Sequence, residues 1–366
     1  MLLALEAGCR LSDMELVQFH PSGIVAPEDL AGTLVTEAVR GEGGRLYNAL
    51  GERYMERYDP ERMELSTRDR VALANYTEIA EGRGTPNGGV YLDVSHLPKS
   101  LIIEKLPKMY RQFVEIQMLD ISKEPMEIAP TAHYTMGGIM VEPETHATDV
   151  EGLYAAGEST SGLHGANRLG GNSLTEAVVF GRRAGEAAAA FSASSEAQLR
   201  SRQAIREAEE ELDGYIREGD VLPRQLQRYL RNAMSEFCGV VRSEEGLEQG
   251  LEKLAEIREA AKTVDVSPTS EGYGDLAHAL DLRGSLAAAE ATLLGAIERR
   301  ETRGAHNRSD YPELDPELTV NFVVTMDGDG KLSMGREEVH PVPEHLQEWT
   351  QRTDREEYRV PGRLVE

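Results

Sequence analysis

Residues His164 to Leu174 read HGANRLGGNSL and continue without a break into TEAVVFGRRAGEAAAA, Thr175 to Ala190. A glycine-rich loop feeding a long run of small and apolar residues predicts a loop-to-helix transition. Ser173 to Glu176, SLTE, has the spacing of a capping box, serine first and glutamate three residues on. A helix start of this kind presents free backbone N–H groups and the positive end of the helix dipole, which suits an anion or a ring acquiring negative charge at Asn172, Ser173 and Leu174. The same pattern also fits a plain loop ahead of a packed helix. Gly181 and Gly185, four apart, predict close packing of one helix face rather than chemistry. Upstream, GLYAAGE (Gly152 to Glu158) reads as a buried strand with Glu158 at its tip, placed to accept hydrogen bonds from ligand hydroxyls. Ten glycines between Gly137 and Gly185 imply backbone lying close to a ligand.

Toward the amino terminus, MLLALEAGCRLSDM predicts a helix stopped near Gly8, followed by an extended run from Glu15 to Phe19. The helix opens uncapped and apolar, so Met1 is expected to mark a truncation or a split boundary. Between these ends lies a mixed region with turn signals (PSG, GEGG, PNGG), a short alternating strand at Val90 to Val94 and a helix over Leu101 to Leu119. It reads as an inserted α+β unit. After Phe191 the composition shifts to Ala, Glu, Arg and Leu through Lys262, and again from Leu276 to Arg300, which predicts antiparallel helices separated by the turn-rich VDVSPTSEGYGD. TVNFVVTMDGDGKLSM predicts a hairpin turning on Asp327 to Gly330. A calcium loop starting at Asp327 would need glycine at its sixth position, where Leu332 stands.

Hydrophobic residues make up 40% and charged residues 28% of 366, enough for two or three globular units at about 150 residues each. The formal net charge of −25 repels nucleic acid and anionic lipid surfaces. An anionic substrate would need a compact cluster of Arg and His to reverse the field locally. Only Cys9 and Cys238 occur, outside any CxxC spacing, which argues for a reducing compartment and against a protein-bound zinc or iron–sulfur site, so no metal site is expected. No stretch approaches the roughly 18 apolar residues a membrane span needs.

QFHPSG (18–23), TEAVRGEGG (36–44), MELSTRD (63–69), PTAHYTMGG (130–138), HGANRLGGNSL and the later RGAHNRSDYP (303–312) together resemble the flavoproteins of succinate dehydrogenase and fumarate reductase, with L-aspartate oxidase as a close relative. The resemblance covers roughly Met1 to Asp310. It implies an α/β and α+β multidomain fold. Residues 1–19 and 134–190 would be the remainder of a Rossmann-like FAD-binding domain, 20–133 an inserted capping domain, 191–305 a helical domain and 306–366 a small C-terminal α+β segment. It implies FAD as cofactor, with Glu158, Asn172, Ser173 and Leu174 beside it. Succinate and fumarate would be interconverted by hydride transfer at the flavin N5, with Arg68 moving the proton at the adjacent carbon and Glu37 and Arg40 relaying it to solvent. His20 and Thr36 would hold one substrate carboxylate, His133 and Arg168 the other.

Judged without the resemblance, Glu37 and Arg40 also fit an ordinary ion pair, His20 a turn histidine and His133 a satisfied core histidine. Ala38, Val39, Ser66 and Thr67 depart from the residues relatives often carry, without removing a functional group. The resemblance further implies that electrons pass to an iron–sulfur subunit, with quinone and membrane anchor reached only through partners. The expected location is cytoplasmic, peripheral at the inner face of the cell membrane. No GxGxxG follows a strand, and roughly 200 residues of the family pattern would precede Met1, so the chain alone is expected to bind FAD poorly. L-aspartate oxidase and a catalytically silent fragment are the competing readings; GANRLGGNSL and RGAHNRSDYP lean toward the dehydrogenase and reductase side.

Overall fold

The computed structural model describes residues 1–196, 201–267 and 273–350. Residues 268–272 of the turn-rich stretch and 351–366 of the C-terminal segment lie outside the described residues. The chain opens with helix α1 (Leu2–Ala7), stopped at Gly8, and the short strand β1 (Leu11–Ser12). Strand β2 (Val17–Ile24) begins a second unit that continues through α2 (Ala38–Gly41), β3 (Arg45–Tyr47), α3 (Met55–Tyr58), α4 (Arg68–Glu78), β4 (Val90–Asp93), α5 (Lys99–Lys105), α6 (Pro107–Gln117) and β5 (Met126–Thr135). Its four strands form an antiparallel sheet in the order β2-β5-β4-β3. A core of Val39, Leu46, Tyr54, Val71, Leu92, Phe113 and Ile128 packs α4 and α6 against this sheet.

The helix expected over Leu101 to Leu119 is two helices. Leu106, at φ −125° and ψ 42°, breaks the run between α5 and α6, because the ring of Pro107 crowds the residue before it out of the helical region.

Strand β6 (Gly138–Ile139) then returns to β1, and the long helix α7 (Asn172–Ser194) follows. The helical region comprises α8 (Arg202–Tyr215), α9 (Pro223–Phe237), α10 (Glu244–Ala260) and α11 (Tyr273–Glu298). Proline opens α9 where its missing N–H costs nothing, and Ser243 caps α10 by accepting from Gly246 N at 3.2 Å. Leu226, Leu230, Leu247, Leu254, Leu286 and Leu293 fill the seam between these helices. The expected hairpin is present as β7 (Val320–Met326) and β8 (Leu332–Glu338), with Asp327 Oδ1 accepting the N–H groups of Asp329 and Lys331 to hold the turn. Helix α12 (Glu344–Thr350) closes the described chain. The hairpin joins the first unit in the sheet order β6-β1-β7-β8.

GLYAAGE is not a strand. Tyr154 makes one isolated bridge, to Ala147, and Gly157–Ser159 form a single 3-10 turn, because no strand runs beside this segment among the described residues to build a ladder.

Candidate active site

The site grows from the pairing of β2 with β5. Gln18 faces Tyr134 and His20 faces Thr131, with the register shifting just after each of Gln18 and His20. These irregularities twist the ribbon locally. They bring the His20 and His133 rings edge to face, 5.2 Å between centroids. Helix α4 is pinned against β2: Asn75 Nδ2 donates to Pro21 O at 2.8 Å, and the Tyr54 hydroxyl donates to Asn75 Oδ1 at 2.6 Å. That clamp fixes Arg68, the first residue of α4, beside His20.

A cation at a helix N-terminus opposes the dipole and needs a counter-charge. Glu37 supplies it. Its Oε2 accepts from Arg68 Nε at 2.9 Å and Nη2 at 2.6 Å, while Oε1 accepts from Arg40 Nη2 at 3.2 Å. Glu37 therefore bridges two guanidinium groups. Burial pushes its carboxyl pKa up, but the hydrogen bonds and charge of Arg68 and then Arg40 outweigh this and hold it below the usual range. Arg40 is itself buried, anchored on Glu64 O at 2.5 Å, and burial followed by the Arg68 charge lowers its pKa. Arg68 Nη1 is buried and has no partner among the described residues.

The two histidines are held neutral. Burial first, then His133, Arg68 and Arg40 lower the His20 pKa to about 3. His20 Nδ1 accepts from Ser22 N at 3.2 Å, so in the neutral ring the proton sits on Nε2, a donor available to a ligand. Burial and then Arg168 and Arg68 lower His133 as well. Neither alternative for these residues holds: His20 lies in strand β2 rather than a turn, and His133 is only half-buried rather than a core histidine.

Arg168 is 4% exposed and makes no ion pair with a carboxylate among the described residues. Its guanidinium stacks 4.3 Å from the Tyr134 ring, Nη2 donates to Gln18 Oε1 at 3.0 Å, and Nε has no partner. Gln18 also donates to Asn167 Oδ1 and Arg168 O, both at 2.7 Å, fastening the whole GANRLGG loop to β2. Two residues on, Gly170 passes so close that a Cβ there would lie 3.3 Å from Arg68 Nη2.

A cavity of about 690 Å³ opens beside these groups, walled by His20, Thr36, Glu37, Arg68, His133 and the α5–α6 junction. Arg168 is not on its wall, although its charge lowers the His133 pKa and it feels the charge of Arg68 in turn. A larger cleft of about 800 Å³ between α10, α11 and the hairpin contains none of these side chains. The structure thus brings His20, Thr36, Glu37, Arg68 and His133 around one space; Arg40 is reached only through Glu37, and neither it nor Arg168 is on the wall.

The start of α7 is built differently from the capping-box expectation. Gly171 at φ 87° is the N-cap, no side chain caps the helix, and Ser173 already lies within it. Glu176 points inward instead, because Tyr134 and His164 bind its carboxylate in a buried site that satisfies it better than one terminal N–H. Asn172 and Leu174 are exposed at the open end, with Ser173 half-buried between them. Glu158, also exposed, accepts from Thr135 N at 3.1 Å. Gly181 and Gly185 do not pack against another helix: a Cβ at either would meet nothing within 4 Å among the described residues.

Gln18, Tyr134, His164 and Asn167 are organising residues to which the motifs assign no role, and Glu176 joins them as the partner of Tyr134 and His164 rather than as the acid of a capping box. Gln18 and Tyr134 each sit inside a quoted motif, two residues before His20 and one after His133, and only the strand register shows that they face each other.

The match to known proteins follows the same lines. The FAD binding domain family matches residues 1–174, and the fumarate reductase flavoprotein C-terminal family matches residues 227–353. The chain is 49% identical over 315 residues to a CoM/CoB fumarate reductase subunit of Methanothermobacter marburgensis, covering 86% of this chain and 57% of that protein. It is 38% identical over 346 residues to the succinate dehydrogenase flavoprotein subunit of Rickettsia bellii, covering 90% and 57%. Among solved structures, Escherichia coli quinol fumarate reductase superimposes with a TM-score of 0.85 at 36% identity, over 93% of this chain and 62% of that one. Mycobacterium smegmatis Sdh1 superimposes with a TM-score of 0.84 at 38% identity, over 96% and 59%. The fold is that of an FAD-dependent oxidoreductase, and the chain belongs to the family of succinate dehydrogenase and fumarate reductase flavoprotein subunits. It spans 57% of the length of the two relatives named.

FAD is the cofactor of this family, and the open end of α7 fits such a group. The helix start has no side-chain cap and no acid in its first turn, and Leu169, Leu174 and Val178 are exposed beside it. Free N–H donors next to an apolar surface suit the polar edge and the face of a planar ring.

Proposed function

We propose that the protein containing this chain interconverts succinate and fumarate, with Arg68 as the proton-transferring group. The observation that carries this reading is the state of Arg68. Two of its nitrogens are tied to Glu37, and the third, Nη1, is buried without a partner beside a cavity whose other polar walls include two neutral imidazoles.

His20 Nε2–H and the Thr36 hydroxyl would hold one carboxylate of a four-carbon dicarboxylate; His133 and Arg168 would hold the other. Arg168 suits that task because a buried guanidinium without a carboxylate partner is a cation kept for an anion. Arg68 Nη1–H would deliver the proton to the substrate carbon or remove it. An arginine can do so only against a strongly basic carbon and with a route that restores the proton. Glu37, bonded to both Arg68 and Arg40, is that route. Because the imidazoles are neutral, they orient substrate without competing as acids. FAD would be held at the open end of α7 by the backbone around Ser173 and Leu174, with Asn172 and Glu158 nearby, and would supply the hydride chemistry when bound. Electrons would leave to an iron–sulfur subunit. Any membrane contact would be made through partners, since no helix among the described residues is long and apolar enough to cross a membrane.

The test is turnover by the FAD-loaded protein with succinate and an electron acceptor, with fumarate and a reductant, and with L-aspartate. Turnover of the first two supports the proposal. Oxidation of aspartate alone would replace it with L-aspartate oxidase, and turnover of none with a silent chain.

A further inference from the structure

Beneath Arg168 lies a buried polar chain that the reaction scheme does not use. The guanidinium rests on the face of Tyr134 at 4.3 Å. The Tyr134 hydroxyl donates to Glu176 Oε2, and the same oxygen lies 2.9 Å from His164 Nε2. The three side chains come from three elements: Tyr134 from β5, His164 from the glycine-rich loop and Glu176 from the second turn of α7. Glu176 is 3% exposed and, among the described residues, makes no direct ion pair with a Lys or Arg.

A buried carboxylate is costly unless its charge is balanced and its lone pairs are filled. Here Tyr134 and His164 fill one oxygen, and the nearby positive charge is Arg168, stacked on the face of the ring whose hydroxyl Glu176 binds. Had Glu176 reached Arg168 directly, a bidentate pair would have consumed the N–H groups that a substrate carboxylate needs. The tyrosine keeps the two charges apart. It lets the carboxylate stabilise the guanidinium through space while Arg168 Nε stays unpaired. Gln18 fixes the third side by accepting from Nη2.

We propose that Tyr134 and Glu176 are positioning residues for Arg168: Glu176 orients the Tyr134 ring through its hydroxyl, and the ring sets the plane of the guanidinium so that, with Nη2 on Gln18 and Nη1 on Leu169 O, the unpaired Nε–H and the remaining N–H groups are left for a dicarboxylate. Glu176 belongs to α7, whose open end fits the flavin, so the chain also ties the flavin-side helix to the carboxylate clamp. This inference rests on the dicarboxylate reading above.

The experiment measures equilibrium binding of malonate, a non-reacting dicarboxylate, to the FAD-loaded protein by calorimetry, together with kcat and KM for succinate. Wild type is compared with Tyr134→Phe, Glu176→Gln and the double variant. Tyr134→Phe keeps the stacked ring and loses only the hydroxyl, so it preserves packing. Each single variant is expected to weaken malonate binding about tenfold and to raise KM in parallel, with kcat within about threefold, the size of one lost charge-assisted hydrogen bond. Because both residues act through one chain, the double variant is expected to bind no worse than the weaker single. Malonate affinity unchanged in both singles would overturn the proposal, and so would multiplied losses in the double variant. A drop in kcat and melting temperature with affinity retained would also overturn it, assigning the chain to stability alone. A wild type that binds no dicarboxylate would instead remove the functional reading itself.

Discussion

Two groups of buried arginines share this fold and are wired in opposite ways. Around Arg299, just past the end of α11, every guanidinium nitrogen has a partner: Nε binds Glu15 at 2.6 Å, Nη1 binds Glu301 at 3.0 Å and Nη2 binds Asp13 at 3.3 Å. Arg308 is likewise bound by Asp310 at 2.8 Å and Glu244 at 2.7 Å. Arg68 on the cavity wall and Arg168 off it each keep a buried nitrogen without a partner, and Arg168 meets no carboxylate at all among the described residues. Burial alone therefore does not distinguish a structural arginine from a functional one. Saturation by acids separates Arg299 and Arg308 from Arg68 and Arg168, but a spare nitrogen alone does not mark an anion site, since the buried Arg242 also keeps Nη2 without a partner among the described residues while binding Glu15 O, Gly239 O and His306.

Four substitutions test that contrast. Arg68→Lys keeps a charge but loses the fork and the free Nη1, so kcat should fall about 10⁴-fold while malonate affinity stays within a few-fold, as steady-state kinetics and calorimetry would show. A fall in affinity matching the fall in kcat would make Arg68 a clamp rather than an acid. Arg299→Met leaves Asp13, Glu15 and Glu301 without their shared cation, and should destabilise the fold by about 3–5 kcal/mol in urea titration, with malonate affinity of the folded fraction little changed. Arg168→Ala should weaken malonate binding about 100-fold with a far smaller loss of stability. An equal loss of stability in Arg168→Ala and Arg299→Met would erase the distinction.

The smallest effect is a pH dependence confined to the saturated group. Burial, and then the neighbouring Glu15, push the Asp13 pKa up to about 7, against the attraction of Arg299. A carboxyl raised in the folded state is ionised at a cost, so this contribution destabilises progressively as pH climbs from about 4, its unfolded range, toward 7. Asp13→Asn keeps an acceptor for Phe322 N and tolerates the φ of 55° at this position. It should flatten the stability profile between about pH 5 and pH 8 by about 1–2 kcal/mol, read from denaturation midpoints. An unchanged profile would show that Arg299 holds Asp13 ionised throughout.

Much of this arrangement was legible in the chain itself. The helix stopped at Gly8, the short strand expected over Val90 to Val94 and found over Val90–Asp93, the hairpin at Asp327 and the antiparallel helices follow from local pattern, where periodicity and turn residues decide the outcome. The gathering of His20, Glu37, Arg40, Arg68 and His133 followed from motif resemblance and not from periodicity, because side chains from separate elements meet only through the β2–β5 register and the docking of α4. What escaped depends on competition between partners. Ser173 and Glu176 carry the spacing of a cap, yet a buried tyrosine and histidine outcompete a solvent-exposed backbone donor. GLYAAGE carries strand composition, yet a strand exists only where another runs beside it.

One contact joins the two arginine groups. Ala305 N donates to Ala166 O at 2.9 Å, and Gly304 approaches so closely that a Cβ would sit 2.3 Å from that same oxygen. The RGAHNRSDYP segment thus serves as a backstop for the loop that carries Arg168. Fraying of that loop is coupled to the helical region, and its protection from hydrogen exchange should track the integrity of the Arg299 network, through this backbone contact and the packing of Ala305 with Leu16, Tyr134 and Met136.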